Sequence, residues 1–512
     1  MKGDFSRIRF DATKRYSRVL QQQGRVTLDA DGNERTDILL HYLRTLARDL
    51  MGDYGGPLEH GGFTLVVDKG KLKIGAGRYY VHGILCESDG CHYDDQPDYK
   101  PVAVGTNSGG DALLEFLQST VPNDDHFWVY LDVWERHLTA VEVPELREVA
   151  LGGPDTCTRS KIVWQVKARK LSADEVAQIQ TAASAAVVDP PAAAAGAAKD
   201  PVIAPQVDLR RGCAIPLAAL DSVAGSLSAR LERSAQPKTP CIVAPDARYR
   251  GAENQLYRVE IHRGGNAASA TFKWSRDNGS IVTSWLGMDG DKLLIANARG
   301  FCAGMWVELT DDARDLAGQP GVLARIGRVE DDTLTLDAAS AIACNTALHS
   351  KLRAWDQTGA ELADGVPLLV GGASAWLDLE DGIQVRFAAD GDYRSGDYWL
   401  IPARVAAGVD GGIDWPDGAE LPPRGVEHHY APLGLLAWAA QAGAAAQLEV
   451  TSCLCTLRPL TPCQAAAARL KPATSVAGGT GDATGNKPTT PVAKPDPKPK
   501  PKPKPKPKPK HG

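Results

Sequence analysis

Short runs in which apolar and polar residues alternate recur from residue 63 to residue 450, and they constrain the fold more than any other feature. Strict alternation marks a strand with one buried face, because successive side chains leave the backbone on opposite sides. Residues 63–67 and 72–74 flank the turn 68–71 and read as a β-hairpin, and residues 78–85 continue that sheet. Residues 127–134 and 161–166 are rich in β-branched and aromatic side chains, which pack well on a pleated surface. Residues 257–262, 271–274 and 281–285 follow, the last two separated by Asn278-Gly279, a hairpin signal because both residues tolerate positive φ. Residues 305–309, 322–329 and 333–336 are short strands joined by polar turns, the spacing of a small closed barrel near 296–340. Residues 376–379, 383–387, 397–402 and 448–450 complete the set.

The period changes early in the chain. Leu39, Leu43, Leu46 and Leu50 recur at three- and four-residue steps, with Arg44, Arg48 and Asp49 between them, so an amphipathic helix spans 36–51. The fold class is therefore mainly β with an N-terminal amphipathic helix, α+β overall. At 512 residues the chain is too long for a single core, so it is multi-domain, built of small barrel or sandwich modules. The expected organisation is a helix plus β domain over 1–170, an Ala/Pro-rich linker or insertion over 171–206 that begins with a short helical stretch, a β-rich region of two modules over 207–470, and a tail over 471–512.

That tail is nearly pure Lys-Pro from Lys494 to Lys510, a composition that cannot bury apolar surface and stays extended. It carries ten lysines against Asp482 and Asp496, so a formal net charge of −6 for the whole chain leaves −14 for residues 1–470. An acidic body gives no basis for specific nucleic-acid binding, whereas the tail can contact acidic surfaces. No apolar stretch is long enough to insert into a membrane, and the basic N-terminus lacks the apolar core of a signal peptide, so cytoplasmic synthesis is expected. Ten irregularly spaced cysteines suit reduced, buried thiols better than a disulfide framework.

Several short motifs fail on detail. Residues 29–34 alternate oxygen ligands, but a helix-loop-helix calcium site needs Gly and a carboxylate where Glu34 and Leu40 stand, so an acidic helix cap is expected. His60-Gly-Gly has no nucleophile elbow to serve. His428 and His429 point to opposite sides of a strand and read as a packed or interface pair. Cys453, Cys455 and Cys463 lack paired zinc spacing, and residues 479–487 miss the phosphate-loop spacing by one. No catalytic residue, cofactor site or metal site is assigned.

Four stretches resemble a bacterial family of uncharacterised function. They are residues 1–7 with 19–31, residues 151–156 with 163–166, residues 249–262 with 272–279, and residues 396–404 with 428–433. Members of that family accompany contractile, phage-tail-like injection particles, so the resemblance implies a tail- or baseplate-associated structural protein whose partners are other particle proteins. It carries over no catalytic residues.

The function expected is thus a non-enzymatic, protein-binding structural component, incorporated into a particle that is released or attached to the surface. Attachment is assigned to Gln21, Gln22, Gln23 and Arg25, which precede the helix and can add a strand to a neighbour, to Leu39, Leu43, Leu46 and Leu50, and to His428 and His429. Self-association as a ring or trimer is compatible with this. Two alternatives stay open. A carbohydrate- or ligand-recognition module would use Trp274, Trp285, Trp306, Trp355, Trp376 and Trp399 as stacking faces, and a polymer hydrolase would need a carboxylate pair.

Overall fold

The computed structural model describes residues 2–99, 111–119, 121–184, 212–220, 224–232, 249–337, 345–358, 362–369, 372, 375–405, 412–439 and 446–457. The Lys-Pro tail over 471–512 and residues 185–206 of the Ala/Pro segment lie outside them.

Two strands of twelve residues, Phe127–Leu138 and Arg159–Lys170, pair antiparallel along their whole length. Their outer neighbour comes from far along the chain: His429–Ala439 pairs with Phe127–Leu138, and Gln447–Ser452 completes a four-stranded sheet. Alternation sorts the side chains to two faces. Phe127, Val129, Leu131 and Val133 join a core with Phe63, Tyr79, Val81 and Phe116, supplied by the hairpins at 54–92 and the helix Ala112–Gln118. Trp128 and Tyr130 face the other way, against Ile179 of the helix Ala173–Ser184, Cys213 and Leu435. Both faces are covered, which explains why residues 127–134 are buried without a break.

The hairpin expected at 63–74 is present as Leu65–Asp68 and Lys71–Ile74, turning at Lys69 and Gly70, both with positive φ. Residues 77–88 form a hairpin of their own in a second sheet and do not continue the first.

The second core lies between the sheet containing Gln255–Arg263, Thr271–Ser275 and Tyr398–Ala403 and the sheet containing Leu227–Leu231 and Ile383–Phe387. Tyr257, Val259, Ile261, Phe272, Trp274 and Phe387 fill it. Between two of its strands the chain departs to build a closed six-stranded barrel in the order Val282–Asp289, Lys292–Ile295, Thr333–Leu336, Val322–Glu330, Trp306–Thr310, Lys351–Trp355. Trp285, Val307, Leu309, Ile326, Leu334 and Leu352 pack its interior. The barrel is thus wider than residues 296–340.

Asn278 and Gly279 adopt positive φ, as the dipeptide predicts, yet the hairpin is absent. Thr271–Ser275 pairs with Gln255–Arg263 and Val366–Pro367, whereas Val282–Asp289 belongs to the barrel. The turn is instead the crossing from one module to the next, held by Asn278 Nδ2 donating to the Phe5 carbonyl at 2.9 Å. Local turn chemistry fixes the bend but not which sheet each arm joins.

The reading of the cysteines as thiols needs correction at one pair. Cys213 and Cys453 form a disulfide within the second face of the long sheet, 240 residues apart. They become neighbours only because residues 429–452 return to that sheet, a proximity no local spacing reveals. Of the other described cysteines, Cys86 is buried while Cys157, Cys302 and Cys455 are exposed thiols. Cys453→Ser is expected to lower the unfolding free energy by about 2–4 kcal/mol in denaturant titration, while Cys302→Ser changes it by less than about 0.5 kcal/mol.

Candidate assembly surface

The densest group of ionisable side chains lies where the sandwich meets the barrel. In residues 257–262 the odd positions fill the sandwich core, so Arg258, Glu260 and His262 point away from it. The barrel alternates the same way: Val307, Leu309, Leu352 and Ala354 face in, and Glu308, Lys351 and Arg353 face out. The two polar faces meet. Glu260 takes Arg258 at 2.7 Å, Lys2 at 2.9 Å and Lys273 at 3.3 Å. Lys273 also reaches Glu308 at 2.5 Å, and Glu308 accepts from Trp355 Nε1 at 3.2 Å and the Gly321 N–H at 3.0 Å.

A second knot adjoins it. Lys351 bonds Glu142 at 2.5 Å and Asp315 at 2.7 Å, and Arg136 bonds Asp312 at 2.5 Å. The ligand atoms of Glu142, Asp312 and Asp315 lie within 4.8 Å of one another, but the Lys351 ammonium and the Arg136 guanidinium already answer them. Burial alone would raise these carboxyls, yet the surrounding cations outweigh it: Lys351 holds Glu142 down to about 2, and Lys2, Arg258 and Lys273 do the same for Glu260. These charges answer one another in a closed set, whose chemistry is to lock two sheets in register.

The N-terminus completes the lock. The Gly3 carbonyl accepts from Arg258 at 2.6 Å, Asp4 pairs with Arg353 at 3.3 Å, and Phe5 sets its ring edge-on to His137 at 5.4 Å. Beyond residue 10 the chain leaves the body. Residues 12–18 and 20–29 are exposed, including Gln21, Gln22, Gln23 and Arg25, and among the described residues no strand pairs with them. A turn closes there through Arg25 N–H donating to the Gln22 carbonyl at 3.3 Å.

The helix then begins earlier than its leucines suggest. It runs Asp29–Met51 and is called α1 below. The acidic stretch 29–34 is its first turn, with Asp29 and Asp31 at the positive end of the helix dipole and Asp31 Oδ2 accepting from the Leu28 N–H at 3.2 Å. Its seating is mostly polar. Arg44 pairs with Glu135 at 2.5 Å and Arg48 with Asp53 at 2.7 Å, while Ala30 and Ile38 are its only buried residues. The His82-Gly83 turn passes beneath Arg44 so closely that a Cβ on Gly83 would fall 2.4 Å from the Arg44 carbonyl oxygen.

The apolar stripe faces out. Leu39 is 55% exposed, Tyr42 64%, Leu43 57%, Leu46 42% and Leu50 67%. At 100° per residue these five fall within about 100° of one another. Together they expose roughly 500 Å² of apolar surface, more than scattered single residues explain. Tyr16, Leu20, Val26 and Leu28 on the preceding arm are also exposed.

His428 and His429 lie elsewhere, at the start of the strand His429–Ala439. His428 Nδ1 sits 2.7 Å from Asp132 Oδ1, with its ring 4.8 Å from Trp134, and His429 stacks on His82 at 4.9 Å. Sequence reasoning missed Tyr42, and it missed a cleft of about 700 Å³ on the other side of α1. Asn33, Thr36, Asp37 and Leu40 of α1 form one wall of that cleft, facing Glu135, Asp397 and Arg424. Burial pushes the Asp397 carboxyl up to about 6. Only the tertiary fold assembles these residues, so no spacing could have found them.

A model of a family of unknown function, DUF6519, matches residues 1–209 and 168–500. The chain belongs to this family. The two matches overlap across the Ala/Pro-rich segment and together take in every described module. No curated protein and no solved structure matches the chain. Among the described residues, no helix is long and apolar enough to cross a membrane.

Two outcomes follow for the charged lock. Lys273→Met leaves Glu260 and Glu308 under-compensated and is expected to cost about 3–5 kcal/mol of stability. Because Glu142 and Glu260 titrate near 2 when folded and near 4.5 ordinarily, their contribution is full above about pH 4.5 and is lost as pH falls toward 2. Melting temperatures between pH 5 and 2.5 should therefore fall more steeply for the wild type than for Glu142→Gln.

Proposed function

We propose that this chain is a structural, protein-binding subunit that attaches to its assembly through the bare leucine stripe of α1 and performs no chemistry of its own. The observation that carries the reading is the orientation of α1: its polar side is spent on the body, and Leu39, Tyr42, Leu43, Leu46 and Leu50 are left to water. A helix presenting anchors at these steps is a familiar recognition mode, read by a groove or by another helix. The arm before it supplies further exposed apolar side chains at Tyr16, Leu20, Val26 and Leu28.

The assembly we propose is a contractile, phage-tail-like particle, with this chain at the tail or baseplate. The resemblance of four stretches of the sequence supports that choice. A buried disulfide at Cys213–Cys453 also suits a product that leaves the reducing cytoplasm, as a released or surface-attached particle does. The glycan-recognition alternative loses its stacking faces, since Trp274, Trp285, Trp306, Trp355 and Trp399 are all at most 4% exposed and Trp376 is flanked by Arg230 and Arg386.

A second reading, acid–base chemistry on a polymer, is favoured by one feature, the raised Asp397 in the cleft beside α1. Hydrolysis of a bacterial polysaccharide by the wild type that is lost in Asp397→Asn would replace the structural reading.

The direct test is sedimentation of particles from the producing cell. The chain is expected to travel with sheath and tube proteins, and Leu43→Asp with Leu46→Asp should release it while leaving its melting temperature within about 2 °C, since exposed positions contribute little to folding. A wild-type chain that never sediments with particles would end this reading.

A further inference from the structure

Resting on the reading of α1 as an assembly surface, we propose that its occupant is a second copy of this chain, packed helix against helix and antiparallel about a two-fold axis between Leu43 and Leu46. Leu39, Leu43, Leu46 and Leu50 are separated by four, three and four residues, a series that reads the same in both directions. Reversed on itself, it sets Leu39 of one copy against Leu50 of the other and Leu43 against Leu46, so all four leucines find a leucine. These are the alternating a and d positions of two heptads, the seam along which helices interdigitate.

The electrostatics agree. Two antiparallel helices oppose their macrodipoles favourably, whereas a parallel pair sets like ends together. Arg44, next to the axis, is turned into the body by Glu135, so no cation is buried at the centre of the seam. The reversed pairing also brings Tyr42 of one copy to the same flank as Asp49 of the other, a hydroxyl donor beside a carboxylate. None of the five stripe residues carries a charge, so no desolvated ion has to be matched.

The area points the same way. Two stripes bury about 1,000 Å² in total, near the lower edge of specific interfaces and enough for a dimer that forms at micromolar concentration. An isologous contact of this kind closes at two copies, so this surface by itself builds a dimer and not the ring or trimer.

The test measures mass in solution and uses the full chain. Light scattering after size exclusion, from about 1 to 100 µM, is expected to show a wild-type dimer. Leu43→Glu alone or Leu46→Lys alone should raise the dissociation constant by more than about thirty-fold. Leu43→Glu together with Leu46→Lys in one chain should restore the dimer, because the antiparallel pairing sets each new glutamate against a new lysine of the other copy. Circular dichroism melts confirm that every variant is folded. A monomeric wild type overturns the proposal, as does a dimer that survives both single substitutions or a folded double variant that stays monomeric. A wild-type monomer whose attachment to particles still depends on Leu43 and Leu46 would remove the second copy while leaving the assembly reading in place.

Discussion

Glu260, Lys273 and Glu308 meet in the interior, and the arrangement of the modules depends on that contact. An apolar interface is held by a non-directional attraction, so it tolerates a slide of a fraction of a strand. Here the facing surfaces carry charges, and a charge moved by one residue finds no partner. Buried ion pairs add little net stability, because desolvation offsets most of their attraction, but they discriminate strongly between registers. Residues 2–4 extend the principle: Lys2, Gly3 and Asp4 insert where the sandwich and the barrel converge, clasping modules that lie some 255 residues or more along the chain.

The same use of charge explains α1. A surface helix ordinarily turns its apolar stripe inward and its polar side to water. In α1 the order is reversed, with Arg44 on Glu135 holding it from below and Arg48 bonded to Asp53 just past its C-terminal end. Ion pairs let a helix be seated without consuming its leucines. The body thus holds α1 in place by contacts that water tolerates and keeps in reserve the contacts that water does not.

Much of the architecture was legible because alternation is a local property. The strands at 65–74, 127–134 and 257–262 announce themselves, and so does the barrel, since each short strand is bounded by its own turn. The leucine steps of α1 were equally plain. Where reading failed, the deciding fact was long-range. Nothing near Asn278-Gly279 says that the two flanking strands enter different sheets. Nothing near Cys213 points to Cys453, 240 residues on. The unbroken burial of residues 257–262 hides a division of labour between odd and even positions that appears only once a second polar face is known to lie opposite. For the candidate surface, the sequence names the leucines but is silent on which way they point, because amphipathicity is the same whichever side the body takes.

The pairing of Phe127–Leu138 with His429–Ala439 sets a timetable. About 300 residues separate the paired positions, and ribosomes add roughly 5–20 residues per second, so the strand waits some 15–60 s for its neighbour. Through that interval one edge of a long, aromatic-rich strand has no ladder partner, which is the feature most inviting to stray β-pairing. Its other edge closes early against Arg159–Lys170, whose Lys161, Lys167, Arg169 and Lys170 pair with Asp98, Asp132, Glu175 and Asp125. The first half of this sheet thus has its ion pairs available long before its last two strands are made, and the open edge closes only when residues 429–439 arrive.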